Sequence, residues 1–396
     1  MTATDDGDDM PPTTTTQLPG LLAGVKVVDL STYVTGPYAA MMLADLGADV
    51  IKVEPPGGDP NRRVGRSRGG TSVLFAAVNH GKRSIMLDLK QPDDAAVLRG
   101  LIRWADVMLE NWRPGAAERL GLGDAALDAL NPCLVHVNVT GWGTTGPWSA
   151  RPAFDGLMQA FGGVAWSAGR LDEPSLLRFY LADKVTGVYA AQAARAGLVR
   201  AGRSRRGERI EVNMLDANAY FNCPDVFSAR LMVDDDAVLD PEVAPATKTL
   251  IRAADGCFVL SPASGAHIRS LCEAMGRPEW LAEFKQTRTF DGLAPLIQAR
   301  MESVTMSHGV EHWVELLAAH DVPAAPVLDL DQHLAHPQVA ANGTYGESDH
   351  EGFGRHRVAR HPARAATDNR EGAPGTFPDL DADGPEIRRL AAAFTP

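Results

Sequence analysis

The chain has 396 residues, of which 45% are apolar and 22% are charged. These values are typical of a soluble globular protein with more than one domain, and they exclude a disordered chain, a collagen-like repeat and a coiled coil. Lys and Arg number 38 against 50 Asp and Glu, which gives a formal net charge of −12. Because a nucleic-acid binder needs a basic face, this surplus of acid argues against a nucleic-acid partner, while small anionic ligands stay compatible with a few local cations.

The cysteines and the N-terminal residues indicate where the protein works. Cys133, Cys223, Cys257 and Cys272 form no C-x-x-C pair, so the sequence predicts neither a zinc site nor a redox pair, and we expect a reducing cytoplasm. Residues 1–19 are acidic and rich in Thr and Pro, which predicts a disordered arm rather than a signal peptide. No run of 18 apolar residues occurs, so we expect no membrane partner.

The first folded elements predict a parallel sheet. A β-branched strand over 24–30, a helix over 37–46 and a strand over 48–53 form a βαβ unit. The same alternation continues through strands at 84–87, 107–109, 134–139 and 208–212 and helices at 92–104, 115–120 and 184–201. Residues 20–215 are therefore predicted to form a large, doubly wound α/β domain.

The remaining sequence has a different character. Helical patterns at 265–275 and 310–320, with one extended piece at 257–260, predict a smaller α+β domain over 216–330. Residues 331–396 are predicted to return to the large domain, with coil over 343–375 and a last helix over 385–394.

The turn after the first strand is a candidate wall of a ligand site. Residues 31–37 contain one glycine, Gly36, where a dinucleotide fingerprint needs three, so the sequence does not favour an NAD-type cofactor. Ligands of open α/β sheets still bind beyond the carboxyl ends of the strands. His308 and His312 have the spacing of two metal ligands, but the glutamate of H-E-x-x-H is missing, so no metal site is predicted.

Two further features could carry chemistry. The loop over 140–147 contains three glycines whose backbone N–H groups could hold an oxyanion or a phosphate, or could simply turn the chain. Asp183 follows an extended piece and precedes a helix, which is typical of an N-cap. A carboxylate in that place stays ionised, so Asp183 is also a candidate nucleophile.

An ordered series of motifs resembles the class III CoA-transferases. The resemblance lies in the runs 27–30, 36–37, 43–54, 82–85, 87–90, 105–111, 113–115, 130–132, 140–143, 145–147 and 322–327. This family includes formyl-CoA and carnitine-CoA transferases, bile-acid-inducible proteins and 2-methylacyl-CoA racemases. The resemblance implies a Rossmann-like large domain, a smaller α+β domain and an interlocked homodimer. It also implies that coenzyme A or acyl-CoA is a substrate, that a small carboxylic acid is the acceptor, and that no cofactor is bound permanently.

The resemblance also implies roles for individual residues. Asp183, with Gly187 four residues later, matches the nucleophile that forms a mixed anhydride and then an enzyme–CoA thioester. Gly141 and Gly143 match loop positions that could stabilise an oxyanion. The positions implied in CoA binding are Val34, Arg62, Arg63, Lys82, Asn111, Arg113 and Arg119.

Three departures from the family pattern keep alternatives open. Phe154 stands where the racemases have a histidine, and a phenyl ring cannot move a proton, so racemisation is disfavoured. Lys184 follows Asp183 and could hold its carboxylate ionised or point away. The glycine-run loop of the formyl-CoA transferase small domain is absent. Besides a CoA-transferase and a racemase, the sequence leaves open a non-catalytic acyl-CoA-binding protein that keeps the fold.

Overall fold

The computed structural model describes residues 20–169, 172–227, 231, 233, 249–287, 290–363 and 373–395. The arm predicted over residues 1–19 lies outside the described residues.

The elements of the described chain follow the predicted alternation. The strands are β1 (Lys26–Asp29), β2 (Asp49–Glu54), β3 (Ser67–Arg68), β4 (Thr71–Ser72), β5 (Arg83–Met86), β6 (Val107–Glu110), β7 (Val135–Thr140), β8 (Glu208–Asn213), β9 (Thr249–Arg252), β10 (Cys257–Leu260), β11 (Ala324–Pro326), β12 (Tyr345–Ser348) and β13 (His356–Ala359). The helices are α1 (Thr35–Ala44), α2 (Val73–Asn79), α3 (Pro92–Trp104), α4 (Ala116–Arg119), α5 (Asp124–Leu130), α6 (Asp155–Phe161), α7 (Val164–Ala168), α8 (Leu181–Ser204), α9 (Met214–Asn222), α10 (Gly265–Ala274), α11 (Trp280–Gln286), α12 (Phe290–Thr305), α13 (Val310–Ala318), α14 (Leu330–Ala335), α15 (Pro337–Ala341) and α16 (Gly384–Ala392). A 3-10 turn spans Pro60–Arg63.

A six-stranded parallel sheet organises the first part of the chain. Its order is β5-β2-β1-β6-β7-β8, which is the strand order of dinucleotide-binding sheets, and it confirms the predicted α/β fold. The β-branched strands are apolar on both faces, so each face buries a layer of helices. Val27 packs with α1 and α8 on one face, and Val28 packs with α3 and α16 on the other.

The second core surrounds a small antiparallel sheet of order β11-β10-β9. Phe258 on β10 packs with residues of the surrounding helices, including Leu271, Met301 and Trp313. None of the described helices is both long and apolar enough to cross a lipid bilayer.

The chain divides into two compact units whose limits differ from the predicted ones. Among the described residues, one unit contains those up to Gln159, Arg178–Asn218 and those from Gly343 onward, and the other contains those within Ala160–Leu177 and Ala219–Asn342. Residues 160–177, placed in the large domain by sequence, group with the second unit, where the Asn222 amide donates a hydrogen bond to the Gly162 carbonyl at 3.0 Å. The second unit also extends past 330 to Asn342, and it includes α14, which begins with a capping box at Asp329.

Two local predictions are wrong. The segment predicted as coil over 343–375 contains the hairpin β12–β13, in which Tyr345 pairs with Ala359. Asp183 is the third residue of α8 rather than its N-cap, which is Tyr180. The predicted strand over 257–260 and the helix over 92–104 are confirmed to the residue.

Candidate active site

A cleft of about 570 Å³ opens at the carboxyl ends of the parallel strands. It is formed by the turns that follow β1, β6 and β7, together with the start of α8, and we call it the Asp183 cleft. The turns after β1 and β6 flank the point where the strand order reverses, which is where open α/β sheets bind ligands.

Asp183 is a half-buried carboxylate in this cleft. Its Oδ1 accepts a hydrogen bond from Thr35 Oγ1 at 2.6 Å, and its backbone N–H donates to Asp155 Oδ1 at 3.2 Å. Burial raises the pKa of Asp183, the Thr35 hydroxyl opposes this rise, and the charge of Asp155 adds to it, so that the pKa is about 6. Asp183 is therefore still mostly ionised at pH 7 and can act as a nucleophile.

The contact between Thr35 and Asp183 depends on a glycine one turn further along α8. A Cβ atom on Gly187 would lie 2.8 Å from the Thr35 carbonyl oxygen and 3.0 Å from the Tyr38 ring. Any side chain at this position would therefore push α1 and α8 apart. The spacing D-x-x-x-G thus has a structural reason, because the glycine lets α1 bring Thr35 up to Asp183.

The turn after β1 is held in place from two directions. Tyr33 has a positive φ of 65°, and its N–H donates to Asp59 Oδ1 at 3.2 Å while its carbonyl accepts from Asn61 Nδ2 at 2.9 Å. The Asn111 amide bonds both the N–H and the carbonyl of Thr32, at 2.9 and 2.8 Å. An unfavourable backbone conformation is thereby fixed at the wall of the cleft.

Two residues predicted to contact CoA lie inside the fold, and neither lines the cleft. Lys82 is buried and donates to Asp29, to Asn79 and to the Pro37 carbonyl, each at 2.8 Å; burial lowers its pKa to about 8. Arg62 is buried against Glu54, with two hydrogen bonds of 2.7 Å. Each of the two cations is therefore part of an ion pair inside the fold.

The other predicted CoA-binding residues divide into two groups. Val34, Asn111 and Arg113 line the Asp183 cleft. Arg63 and Arg119 are exposed and lie outside its lining.

The two loop glycines also differ in position. Gly141 lines the cleft, and a Cβ there would lie only 2.1 Å from the Ala153 Cβ, so its small size permits a close approach. Gly143 lies outside the lining and has a φ of 89°, which serves the turn itself.

Two aromatic contacts involve residues at which this chain departs from the family pattern. The Lys184 ammonium lies 4.8 Å from the centre of the Phe179 ring, and it is not among the groups that shift the pKa of Asp183. Phe154 is 55% exposed at the cleft wall and meets Tyr33 edge to face, with ring centroids 6.0 Å apart. A proton-transferring group is therefore absent at the position where the racemases have one.

Sequence reasoning missed several residues that the structure brings to this edge of the sheet. Thr35 and Asp155 contact Asp183 directly. Trp112 lines both the Asp183 cleft and a second cleft of about 540 Å³, which Lys90 also lines and which we call the Lys90 cleft. Thr35 lies within the turn that the sequence marked as a wall, but its hydroxyl contact depends on the packing of α1 against α8.

No metal centre is formed by the part of the chain that the structure describes, since no three His, Cys, Asp or Glu side chains gather to hold an ion. His308 and His312 stack on each other instead, with ring centroids 4.2 Å apart.

Comparisons with known proteins show the family to which the chain belongs. The sequence profile of CoA-transferase family III matches residues 22–384. An acetyl-CoA:oxalate CoA-transferase from Acetobacter aceti is 31% identical over 97% of this chain and 99% of its own, and a succinate–glutarate CoA-transferase from Agrobacterium fabrum is 32% identical over 81% and 84%. The crystal structure of Rv3272 from Mycobacterium tuberculosis superposes with a TM-score of 0.80 at 29% identity, covering 93% of this chain and 99% of that one. A CAIB/BAIF family protein from Brucella suis gives a TM-score of 0.77 at 28% identity over 94% and 100%. The match over most of the chain confirms the resemblance, and the chain belongs to CoA-transferase family III and is a CoA-transferase.

Proposed function

We propose that Asp183 is the nucleophile that carries CoA from an acyl-CoA donor to a carboxylic acid. The carboxylate attacks the donor thioester, which gives an aspartyl mixed anhydride and CoA thiolate. The thiolate then attacks Cγ of Asp183, which releases the donor acid and leaves an enzyme–CoA thioester. The acceptor acid repeats the two steps in reverse, so the thioester energy is retained without a redox change or a permanently bound cofactor.

The observation that carries this proposal is the state of Asp183 itself. Its carboxylate lines a cleft, is mostly ionised at pH 7 and accepts a hydrogen bond from the Thr35 hydroxyl. The racemase alternative needs a second base beside the α-carbon, and Phe154 at the cleft wall cannot supply one.

The two clefts support a proposed position for CoA. We place the thioester in the Asp183 cleft, beside Val34 and Asn111, and the nucleotide end across Trp112 toward the Lys90 cleft. Arg113 and Lys90 are exposed and line these clefts, so they can meet the phosphates. Arg63 and Arg119 are candidates for contacts at the rim, and the N–H of Gly141 is a candidate for the oxyanion of the acyl group.

The acceptor is proposed to be a small carboxylic acid. Arg151 lines the Asp183 cleft, with its guanidinium 3.9 Å from the centre of the Trp148 ring. A cation held in this way can bind a second carboxylate, as in oxalate or glutarate, which the names of two relatives include.

We also propose that the active protein is an interlocked homodimer in the cytoplasm. Large apolar side chains on α6, on α8 and in the segment before α8 are exposed in the single chain: Leu157 by 49%, Phe179 by 51%, Tyr180 by 42% and Val188 by 41%. Exposed apolar side chains of this size are typical of a surface that another chain covers.

Chemical trapping tests the covalent step. Incubation with a panel of acyl-CoA donors, followed by hydroxylamine, should convert Asp183 to its hydroxamate, which peptide mass spectrometry detects. The Asp183→Asn variant should give no label and lose at least about 10³-fold in transfer rate. Its melting temperature should equal or exceed that of the wild type, because a partly desolvated charge is removed. If the wild type binds CoA and transfers it without any label, the covalent mechanism is wrong; binding without transfer would indicate the non-catalytic alternative.

A further inference from the structure

The Thr35 hydroxyl distinguishes the two oxygens of the Asp183 carboxylate. Thr35 Oγ1 lies 2.6 Å from Oδ1, while Oδ2 has no hydrogen-bond partner among the described residues. Oδ1 is therefore occupied by a fixed donor, and Oδ2 is open to the cleft. An attack on a thioester by the free oxygen leaves Oδ1 as the carbonyl oxygen of the aspartyl group.

We propose that Thr35 is a catalytic residue whose hydroxyl stabilises the negative charge that forms on Oδ1 when Cγ of Asp183 is attacked. This inference rests on the proposed function, since it assumes that Asp183 becomes acylated. The Thr35 hydroxyl already donates a hydrogen bond to Oδ1 before the reaction begins, so no group has to move when the charge develops.

The step can be followed atom by atom. In the mixed anhydride, Oδ2 bridges to the acyl carbon, and Cγ carries Oδ1 as its carbonyl oxygen. The CoA thiolate forms a bond to Cγ, and the electron pair of the C=O bond moves to Oδ1, where the Thr35 O–H donates to it. The pair then returns, the Cγ–Oδ2 bond breaks, and the donor acid leaves as a carboxylate that contains Oδ2. The enzyme–CoA thioester keeps Oδ1, and no proton is gained or lost.

The fold places Thr35 rigidly enough for this role. It is the first residue of α1, it is 5% exposed, and its carbonyl oxygen would lie 2.8 Å from a Cβ on Gly187. The 2.6 Å hydrogen bond itself keeps the hydroxyl directed at Asp183. Because the attacked carbon belongs to the enzyme, its oxyanion forms at the same place for every substrate, and one fixed donor serves them all.

The charged groups around Asp183 do not offer a second donor of this kind. Asp155 on α6 accepts the N–H of Asp183, and Lys184 lies on the Phe179 ring. Arg113 and Arg151 line the cleft but form no hydrogen bond to the Asp183 carboxylate. Thr35 is the one hydroxyl bonded to this carboxylate among the described residues.

The test compares Thr35→Val, which keeps the shape and loses the hydroxyl, with Thr35→Ser, which keeps a hydroxyl. Thr186→Val is the matched control, because Thr186 is buried one turn along α8 and its hydroxyl bonds the Ala182 carbonyl. Rapid quench and intact-protein mass spectrometry at pH 8 follow the CoA adduct on the enzyme after mixing with an active donor. We expect Thr35→Val to form this adduct about 10²-fold more slowly, with KM for the donor little changed. Thr35→Ser and Thr186→Val should remain within a few-fold of the wild type.

A second readout separates catalysis from a structural effect. Because the hydroxyl favours the ionised carboxylate, its loss should move the acid limb of the half-reaction to higher pH, and Thr35→Ser should restore it. An adduct rate for Thr35→Val equal to that of the wild type would overturn this inference alone. If the wild type itself shows no label on Asp183, the proposed function fails, and this inference fails with it. If Thr35→Val does not fold, a slow Thr35→Ser variant with an unshifted pH profile contradicts the role.

Discussion

At the scale of single residues, the site depends on two aspartates joined by one hydrogen bond, from the backbone N–H of Asp183 to the carboxylate of Asp155. Asp155 is buried at the start of α6, where its Oδ1 accepts the Asp183 N–H and its Oδ2 accepts the Gln159 amide at 2.6 Å. Its charge adds to the effect of burial on the pKa of Asp183. Asp155 therefore makes the nucleophile more basic without touching its side-chain oxygens.

This pair predicts how the reaction depends on pH. Only the ionised form of Asp183 attacks, so the rate of the first half-reaction should rise with pH, be half-maximal near pH 6 and level off above pH 7. In Asp155→Asn the amide oxygen can still accept the N–H, but the repelling charge is gone. The pKa of Asp183 then falls, and the acid limb should move to lower pH. Single-turnover rates from pH 4.5 to 8 measure both profiles.

Asp216→Asn is the matched control for this prediction, because Asp216 is an exposed carboxylate in the first turn of α9. Its profile should coincide with that of the wild type. An acid limb that stays in place, or moves upward, in Asp155→Asn would show that Asp155 does not raise the pKa of Asp183.

At the scale of elements, the contact between α1 and α8 builds the site. Gly187→Ala places a Cβ within 2.8 Å of the Thr35 carbonyl, so we expect the free energy of unfolding to fall by about 1–3 kcal/mol. Transfer activity should fall as well, because Thr35 moves away from Asp183. Gly202→Ala is the control on the same helix, where a Cβ would meet nothing within 4 Å. It should leave activity unchanged and add up to about 1 kcal/mol of stability.

Denaturant unfolding and steady-state rates measure both variants. If Gly187→Ala matched Gly202→Ala in stability and in rate, the glycine would not be needed for the approach of the two helices.

The elements themselves were predictable where the pattern was local. Runs of β-branched residues that alternate with helices of small residues predicted the parallel sheet, because a strand that is buried on both faces is recognisable as a continuous apolar run. The hairpin β12–β13 was missed because its strands, YGES and HRVA, are short and contain few apolar residues, and Gly346 packs against Pro374. The start of α8 was also missed, since Asp155 satisfies the N–H of Asp183 from another element.

Contacts between distant parts of the chain also limit what could be predicted of the site. Family motifs located Asp183, but they could not show that Lys82 and Arg62 lie inside the fold against Asp29 and Glu54. A motif gives the position of a residue in the chain and not the direction of its side chain. The contact between Thr35 and Asp183 could not be predicted either, because the two residues are 148 positions apart in the chain and meet only where α1 packs against α8.

At the scale of the whole molecule, net charge and local charge differ. The chain carries −12, yet Arg113 and Arg151 line the Asp183 cleft and Lys90 lines the neighbouring one. Exposed cations attract an anionic substrate over about a Debye length, whereas the distant acidic surface is screened by salt. The acidic surplus is therefore compatible with an anionic substrate such as acyl-CoA.

The proposed assembly makes a prediction that distinguishes an interlocked dimer from an ordinary one. The chain weighs 42.3 kDa, so light scattering should give twice that mass, about 85 kDa, with no monomer on dilution. Two chains that are interlocked can separate only if one of them unfolds. Dimers that carry two different affinity tags should therefore fail to exchange subunits over days at 25 °C, although they should mix after unfolding and refolding together.

Leu157→Asp, at an exposed apolar side chain, should lower the yield of folded dimer, while a change at the exposed Arg63 should not. Rapid exchange of tagged subunits, or a mass near 42.3 kDa for the active species, would show that the chains are not interlocked.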